Sequence, residues 1–271
     1  MAMKGMLIDN TRCIGCRGCQ VACKQWNKLP ASKPEFFTGP GYQNPRDLNA
    51  DTFTIITYKE VELGGRFEFL FGRLLCMHCN EPACASACPV GALEKLKEGP
   101  VTYHVDKCIG CRYCMVACPF EVPKYEWSKA LPRVRKCTMC TDRVLAGEIP
   151  ACAKACPTGA ITFGDRDALL KEAEDRIRHN PARYVHDIYG KNEVGGTCVL
   201  HLSRVPFHEV GYKSDLPTKP LGSYTHAAMA AVPGVVVGLG IVLGGTYAII
   251  QRRMEMNSSS ELPVGKDGGE E

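Results

Sequence analysis

Apolar and polar positions along this chain form several short patches and one long run. Met6–Asp9 reads as a short buried strand. Thr52–Lys59 alternates β-branched and aromatic residues with polar ones, the period-2 pattern of a strand. A second strand, Arg66–Phe71, follows the Gly64-Gly65 turn, and Val101–Val105 is another. From Leu29 to Asp51 the chain is crowded with Pro, Gly, Asn and aromatic residues and keeps no period, which predicts an irregular insertion. Asp165–Asn180 is an amphipathic helix with Leu169, Leu170, Ala173 and Ile177 on one face, and Pro181 marks its stop. Arg183–Ile188 and Thr197–Leu202 read as strands joined through Gly190–Gly196.

The long run is Ala227–Ile250, 24 residues without a charge. At about 1.5 Å per residue it reaches roughly 36 Å, enough to cross a ~30 Å hydrocarbon core with some tilt. A buried soluble helix is the alternative, but such helices seldom lack a polar face over this length. Gly234, Gly238, Gly240 and Gly244 put small residues on a flank where another helix can approach. Arg252-Arg253 follow at once, which places the C-terminus in the cytoplasm and the rest of the chain outside it; Lys213 and Lys219 on the other flank weaken that asymmetry. The tail Met254–Glu271 is polar and reads as disordered.

Composition changes the picture at one residue type. Of 271 residues 17 are cysteine, and sixteen of these fall in four runs. Run I is Cys13, Cys16, Cys19 and Cys23; run II is Cys76, Cys79, Cys84 and Cys88; run III is Cys108, Cys111, Cys114 and Cys118; run IV is Cys137, Cys140, Cys152 and Cys156. Run III, C-x2-C-x2-C-x3-C-P, is the bacterial ferredoxin arrangement. Its first three thiols wrap one loop, and the fourth is carried away at the start of a helix to serve a second centre. Runs I and III share Cys-Ile-Gly-Cys-Arg-x-Cys-x-Val-Ala-Cys, and runs II and IV share Pro-Ala-Cys-x-x-Ala-Cys-Pro-x-Gly-Ala. The chain therefore reads as a duplicated ferredoxin with a long insertion in its first half.

An odd cysteine count, close spacing and no secretory apolar region in Met1–Asn10 argue against disulfides. Zinc favours two C-x2-C knuckles set a dozen or more residues apart, whereas three of these runs pack four cysteines into 11 to 13 residues and three end in Cys-Pro. Iron–sulfur clusters fit better. Sixteen ligands make four [4Fe-4S] clusters with no open coordination site, which points to electron transfer. The net charge of +4 omits the clusters, which would add roughly −8. Arg12, Arg17, Lys24, Lys107, Arg112, Lys136 and Lys154 lie beside the runs as local counter-charge, most of them on solvated surface. They form no stripe, so a nucleic-acid partner is not expected. No dinucleotide fingerprint, phosphate loop or nucleophile elbow is present, so no catalytic residue is assigned. Cys198, outside the runs, reads as a core residue; His78 reads as a hydrogen-bonding neighbour of a cluster, and Trp26 and Trp127 as apolar cover.

Four runs followed by one span resemble the four-cluster iron–sulfur subunits of membrane-bound molybdenum or tungsten oxidoreductases, above all the beta subunit of respiratory formate dehydrogenase. The likeness runs from about Met6 to Gln251 and is carried by Cys-Arg-Gly-Cys-Gln-Val-Ala-Cys-Lys-Gln-Trp-Asn, Cys-Met-His-Cys-Asn-Glu-Pro-Ala-Cys, Gly-Cys-Arg-Tyr-Cys-Met-Val-Ala-Cys-Pro-Phe, Pro-Ala-Cys-Ala-Lys-Ala-Cys-Pro-Thr-Gly-Ala-Ile and Tyr189-Gly190 with Gly195-Gly196-Thr197. It implies an α+β fold of two bacterial-ferredoxin-like 2[4Fe-4S] modules with insertions and one C-terminal transmembrane helix. Residues 1–29 and 130–163 would form module A, 30–71 the insertion, 72–129 module B, 164–221 a helix-plus-strand linker region, 222–251 the span and 252–271 the tail. The resemblance also implies the pairing: Cys13, Cys16, Cys19 and Cys156 for cluster 1; Cys23, Cys137, Cys140 and Cys152 for cluster 2; Cys76, Cys79, Cys84 and Cys118 for cluster 3; Cys88, Cys108, Cys111 and Cys114 for cluster 4. Cluster 1 would face a molybdopterin-containing catalytic subunit that oxidises formate, and cluster 4 a membrane cytochrome b or other quinone-reactive subunit. The chain would be single-pass in the cytoplasmic membrane, held through Ala227–Ile250, its cysteine domain on the periplasmic side and exported folded with a partner that bears a twin-arginine signal. Nickel–iron hydrogenase and polysulfide or thiosulfate reductase use similar subunits and remain open; a zinc-bearing interaction protein is the remaining alternative.

Overall fold

The computed structural model of the chain describes residues 2–35 and 42–260. Two compact units emerge, Met1–Gly222 and Ser223–Glu271. In the first, strand β1 (Lys4–Asp9) is followed by helix α1 (Gly18–Trp26), the hairpin β2 (Ile55–Leu63) and β3 (Arg66–Leu74), helix α2 (Ala83–Ser86), the hairpin β4 (Leu93–Lys95) and β5 (Val101–Tyr103), and helix α3 (Tyr113–Ala117). There follow the short pair β6 (Lys124–Tyr125) and β7 (Val134–Arg135), helices α4 (Thr141–Leu145) and α5 (Ala151–Lys154), strand β8 (Ile161–Asp165), helix α6 (Arg166–His179) and strand β9 (Val199–Leu202).

β1 is the centre of a three-stranded sheet, antiparallel to β8 and parallel to β9. A strand paired on both sides and covered on both faces needs a continuous apolar run, which Met6-Leu7-Ile8 supplies. Leu7 packs with Leu169, Ala173, Leu200 and Leu202 under α6. Met6 and Ile8 face the opposite way, toward Cys19, Cys152 and Met139. Gly64 (φ 59°) and Gly65 (φ 77°) close the β2–β3 hairpin, where both central positions need the left-handed region.

Several elements differ from the sequence expectation. Arg183–Ile188 is not a strand: the segment turns, and only Tyr189 makes an isolated bridge, to His201. Tyr184 and Ile188 are buried against the face under α6 instead, so burial rather than sheet pairing accounts for their apolar character. The strand read at Thr52–Lys59 begins at Ile55, and Thr52 bridges back to Asn49. Residues 29–35 and 42–48 are irregular, as an insertion rich in turn formers should be, while positions 36–41 of that insertion lie outside the described residues.

The second unit is carried by helix α7 (Leu221–Ser260), 40 residues that exceed the apolar run at both ends. Met254–Ser260, read as disordered tail, is helical, because no helix breaker stands between Gln251 and Ser260. Residues 261–271 of that tail lie outside the described residues. Pro233 stands inside the helix, and the apolar run is exposed along its length.

Candidate metal centre

Each cysteine run uses one local device. The third position of the leading Cys-x-x-Cys turns left-handed in all four: Gly15 (φ 68°), His78 (φ 49°), Gly110 (φ 72°) and Met139 (φ 58°). That single reversal curls the backbone so that both flanking thiols can approach one point. At Gly15 a Cβ would also strike the Phe71 ring, and at Gly110 the Pro132 carbonyl. His78 and Met139 adopt the conformation without glycine's freedom, and both are buried.

The fourth cysteine of run III does not start a helix. α3 precedes it, and Cys118 caps the helix C-terminus with ψ 113°. Pro119 is the reason, since a residue before proline is driven out of the α region. Cys88 and Cys156 likewise stand beyond the ends of α2 and α5, each before a proline. Run I has Lys24 in that place, so α1 continues to Trp26 and carries Cys23 within it.

These turns bring thiols of different runs within electrostatic reach of one another, and each of the four expected quartets holds such couplings. Cys13 faces Cys19, Cys156 and Cys16. Cys23 faces Cys152 and Cys140, and Cys137 faces Cys23 and Cys152. Cys79 faces Cys76, Cys118 and Cys84. Cys114 faces Cys108, Cys111 and Cys88. Neighbouring quartets also feel one another: Cys19 with Cys152, Cys137 with Cys76, and Cys84 with Cys114. These couplings join members of the expected first and second, second and third, and third and fourth sets.

The donor set suits a multinuclear cation. Burial, followed by the facing thiols, pushes Cys23 and Cys84 up to about 12 and Cys114 and Cys140 to about 11. Four thiolates converging in such sites need positive charge at their centre, which iron supplies. Among the described residues no group of three or more histidine, cysteine or carboxylate side chains is placed to hold a single metal ion. A single zinc at about 2.3 Å would draw its sulfurs to roughly 3.8 Å of each other, whereas a cluster places an iron behind each sulfur and takes a wider set. Backbone N–H groups already aim at sulfur: Met139 N at Cys137 Sγ (3.3 Å) and Ala92 N at Cys88 Sγ (3.2 Å). At Cys156, burial raises the thiol, but the Thr158 hydroxyl and the N–H groups of Ile161 and Ala160 outweigh it and lower the pKa.

Residues around the quartets divide into those read correctly and those not. His78 is buried; its Nδ1 accepts the Val101 N–H at 2.9 Å, while burial, Lys136 and Lys95 hold it neutral. Cys198 is core, with Lys95 Nζ donating to its Sγ at 3.2 Å. The tryptophans are not apolar cover: Trp127 is 71% exposed and Trp26 41%, and each lies against a guanidinium, that of Arg112 or Arg143. Lys136 is not on the surface but buried, its Nζ spent on the carbonyls of Val101 and Cys137. Arg73 is a buried cation that no motif points to. It lies on β3 among Leu and Phe and lines a cavity with Cys13, Cys16, Cys19 and Cys156. Its one signal in the sequence is a charge inside an otherwise apolar half-strand.

Residues 67–166 match the model of a 4Fe-4S dicluster domain. The chain is 44% identical over 200 residues to the nitrate-inducible formate dehydrogenase iron–sulfur subunit of Escherichia coli K12, a match covering 72% of this chain and 66% of that subunit's length. It is 36% identical to the hydrogenase-2 operon protein HybA of Escherichia coli O157:H7, across 79% of this chain and 72% of HybA. A protein of Nitratidesulfovibrio vulgaris is 45% identical over 97% of this chain and 70% of its own length.

Proposed function

From the premise that this chain belongs to the family of formate dehydrogenase iron–sulfur subunits, to which HybA is also related, we propose that it conducts single electrons between a catalytic partner and a membrane partner. Four [4Fe-4S] clusters would be held by the sixteen run cysteines as two ferredoxin-like modules, residues 1–29 with 130–163 and residues 72–129. Cys13, Cys16, Cys19 and Cys156 form the first site; Cys23, Cys137, Cys140 and Cys152 the second; Cys76, Cys79, Cys84 and Cys118 the third; Cys88, Cys108, Cys111 and Cys114 the fourth. What supports this reading is the coupling of thiols from different runs, together with the cavity lined by Cys13, Cys16, Cys19 and Cys156. When bound, each cluster exchanges one electron and leaves no vacant iron for a substrate. The chain's own residues supply the rest. Thiols and directed N–H groups hold the charge, buried Met6, Ile8 and Met139 exclude water, and α7 anchors the assembly.

The partner at the first site is a molybdopterin subunit oxidising formate, and at the fourth a cytochrome b or other quinone-reactive subunit, with α7 in the bilayer. The Arg252-Arg253 end faces the cytoplasm and the cysteine unit the other side. The test is purification of the complex with metal analysis. About sixteen irons per chain, molybdenum or tungsten, and formate-dependent dye reduction are expected. A complex without molybdenum or tungsten overturns the formate reading. The match across 72% of HybA favours one second reading, a hydrogenase partner, which nickel and hydrogen-dependent reduction would establish. Protection of the cysteine unit from protease in intact spheroplasts would reverse the orientation.

A further inference from the structure

Arg73 is a buried cation in an unusual position. Only 2% of it is exposed, yet among the described residues no carboxylate pairs with it. One edge of its guanidinium is anchored, with Nε donating to Thr54 Oγ1 at 3.1 Å. Its backbone is fixed as well, since Arg73 N donates to Tyr212 Oη at 2.9 Å. The other edge turns toward the Cys152 thiol, and its Nη1 is buried with no hydrogen-bond partner. That side chain lines the cavity walled by Cys13, Cys16, Cys19 and Cys156. From there its charge also acts on Cys152, Cys137 and Cys23 of the second quartet.

A buried guanidinium without a counter-ion is costly, and a buried N–H without an acceptor adds to the cost. Both are relieved by one thing, negative charge in the first and second quartets. Arginine cannot release its proton in a protein, so this charge is permanent. An electron placed on either side adds negative charge within reach of a fixed cation, in surroundings that screen weakly.

We propose that Arg73 is a positioning residue that bridges the first two quartets electrostatically, raising the reduction potentials of the clusters they hold by offsetting the charge of the transferred electron. The inference rests on the electron-transfer reading above and adds to it a residue that is not a ligand. The balance is one electron in and one electron out, with no proton taken up, because the offsetting group does not titrate.

The test is an EPR-monitored redox titration of the purified complex carrying wild-type chain, Arg73→Gln or Arg73→Lys. Arg73→Gln is expected to move two of the four cluster signals to more negative potential and leave the other two in place, with Arg73→Lys close to wild type. A cluster-replete Arg73→Gln complex with four unmoved potentials overturns the proposal, as does an equal shift in all four. If Arg73→Gln loses clusters, pulsed EPR of the reduced wild-type complex labelled with 15N-arginine decides. Coupling to a labelled side-chain nitrogen that Arg73→Lys abolishes supports the bridge, and no such coupling overturns it. A wild-type complex with no iron–sulfur signal fails differently, since it overturns the electron-transfer reading itself.

Discussion

Cys114 and Cys198 are both buried, and they differ in what faces them. Cys114 looks toward Cys108, Cys111 and Cys88, whereas Cys198 receives a hydrogen bond from Lys95 and lies against Asn80. Cys114→Ala should therefore remove about four of roughly sixteen irons, while Cys198→Ala keeps them all and costs only about 1–2 kcal/mol of stability. Iron and labile-sulfide analysis of the two variants reads the difference. His201 illustrates titration without a metal role. Burial, then the Arg73 charge, lowers its pKa to about 3, and its Nδ1 meets Tyr212 Oη at 2.9 Å with the Tyr189 ring alongside. An unfolded histidine takes its proton near pH 6.5 and the folded one only near 3, so this contribution is whole above 6.5 and is lost as pH falls from 6.5 toward 3. By pH 5 the loss is about 2 kcal/mol, and His201→Gln should remove that part of the difference between denaturation curves at pH 7 and pH 5. His78, lowered in the same direction, keeps its own share in that variant.

α6 shows what an element needs beyond its amphipathic period. Leu169 and Ala173 seat it on β1 as the spacing requires, and Asp165 and Asn180 flank it at the expected ends. It is also pinned by charge: Arg176 Nη1 lies 2.9 Å from Asp9 Oδ2, and Asp9 is fully buried on β1 with Tyr184 Oη also donating to it at 2.9 Å. Arg176→Met leaves that carboxylate with only the half-exposed Arg12, 3.4 Å away, as its cation and should cost about 2–4 kcal/mol in chemical denaturation. Arg178→Met, whose ion pair with Asp175 is exposed, should fall within about 0.5 kcal/mol of wild type. Asp9 and Arg176 are far apart in sequence, and no local pattern joins them. That separation also divides what could be read beforehand from what could not. The Cys-x-x-Cys loops and the helix stops before proline are local geometry, visible in the spacing once the residue before proline is considered. The partnership of runs I with IV and II with III that the family resemblance implies is tertiary, and no local pattern yields it. Lys136 could be named because it adjoins Cys137, though its burial could not. Arg73 precedes Cys76 by three residues, on a strand whose pairing with β2 sets which way it points. The false strand at Arg183–Ile188 arose because Tyr184 and Ile188 are apolar for packing under α6, and alternation cannot separate that from a ladder.

At the scale of the molecule, all sixteen run cysteines lie in Met1–Gly222, and the second unit contains none. The two units differ in make-up: the first is built on buried thiols and a small sheet, the second on a helix long and apolar enough to cross a membrane, its apolar side chains exposed among the described residues. Val237 and Ile241 are 62% and 71% exposed and stand one turn apart near the middle of α7. Exposed to water, such a surface favours aggregation; in hydrocarbon it is matched, and a helix satisfies its own backbone groups there. Thr246 Oγ1 donates a hydrogen bond to the Val242 carbonyl at 2.8 Å, the local acceptor that a hydroxyl needs in an apolar medium. Replacing both central residues, Val237→Arg with Ile241→Arg, adds about 2.5–3.5 kcal/mol per arginine against insertion, or roughly 5–7 together. Wild-type chain should stay in the membrane pellet after alkaline carbonate extraction, and the double variant should move to the supernatant. Its iron content before extraction should match wild type, because no quartet draws on α7. Loss of iron together with loss of the membrane would mean that the cysteine unit depends on the helix for its assembly, and an unchanged pellet would mean that something other than α7 holds the chain to the bilayer.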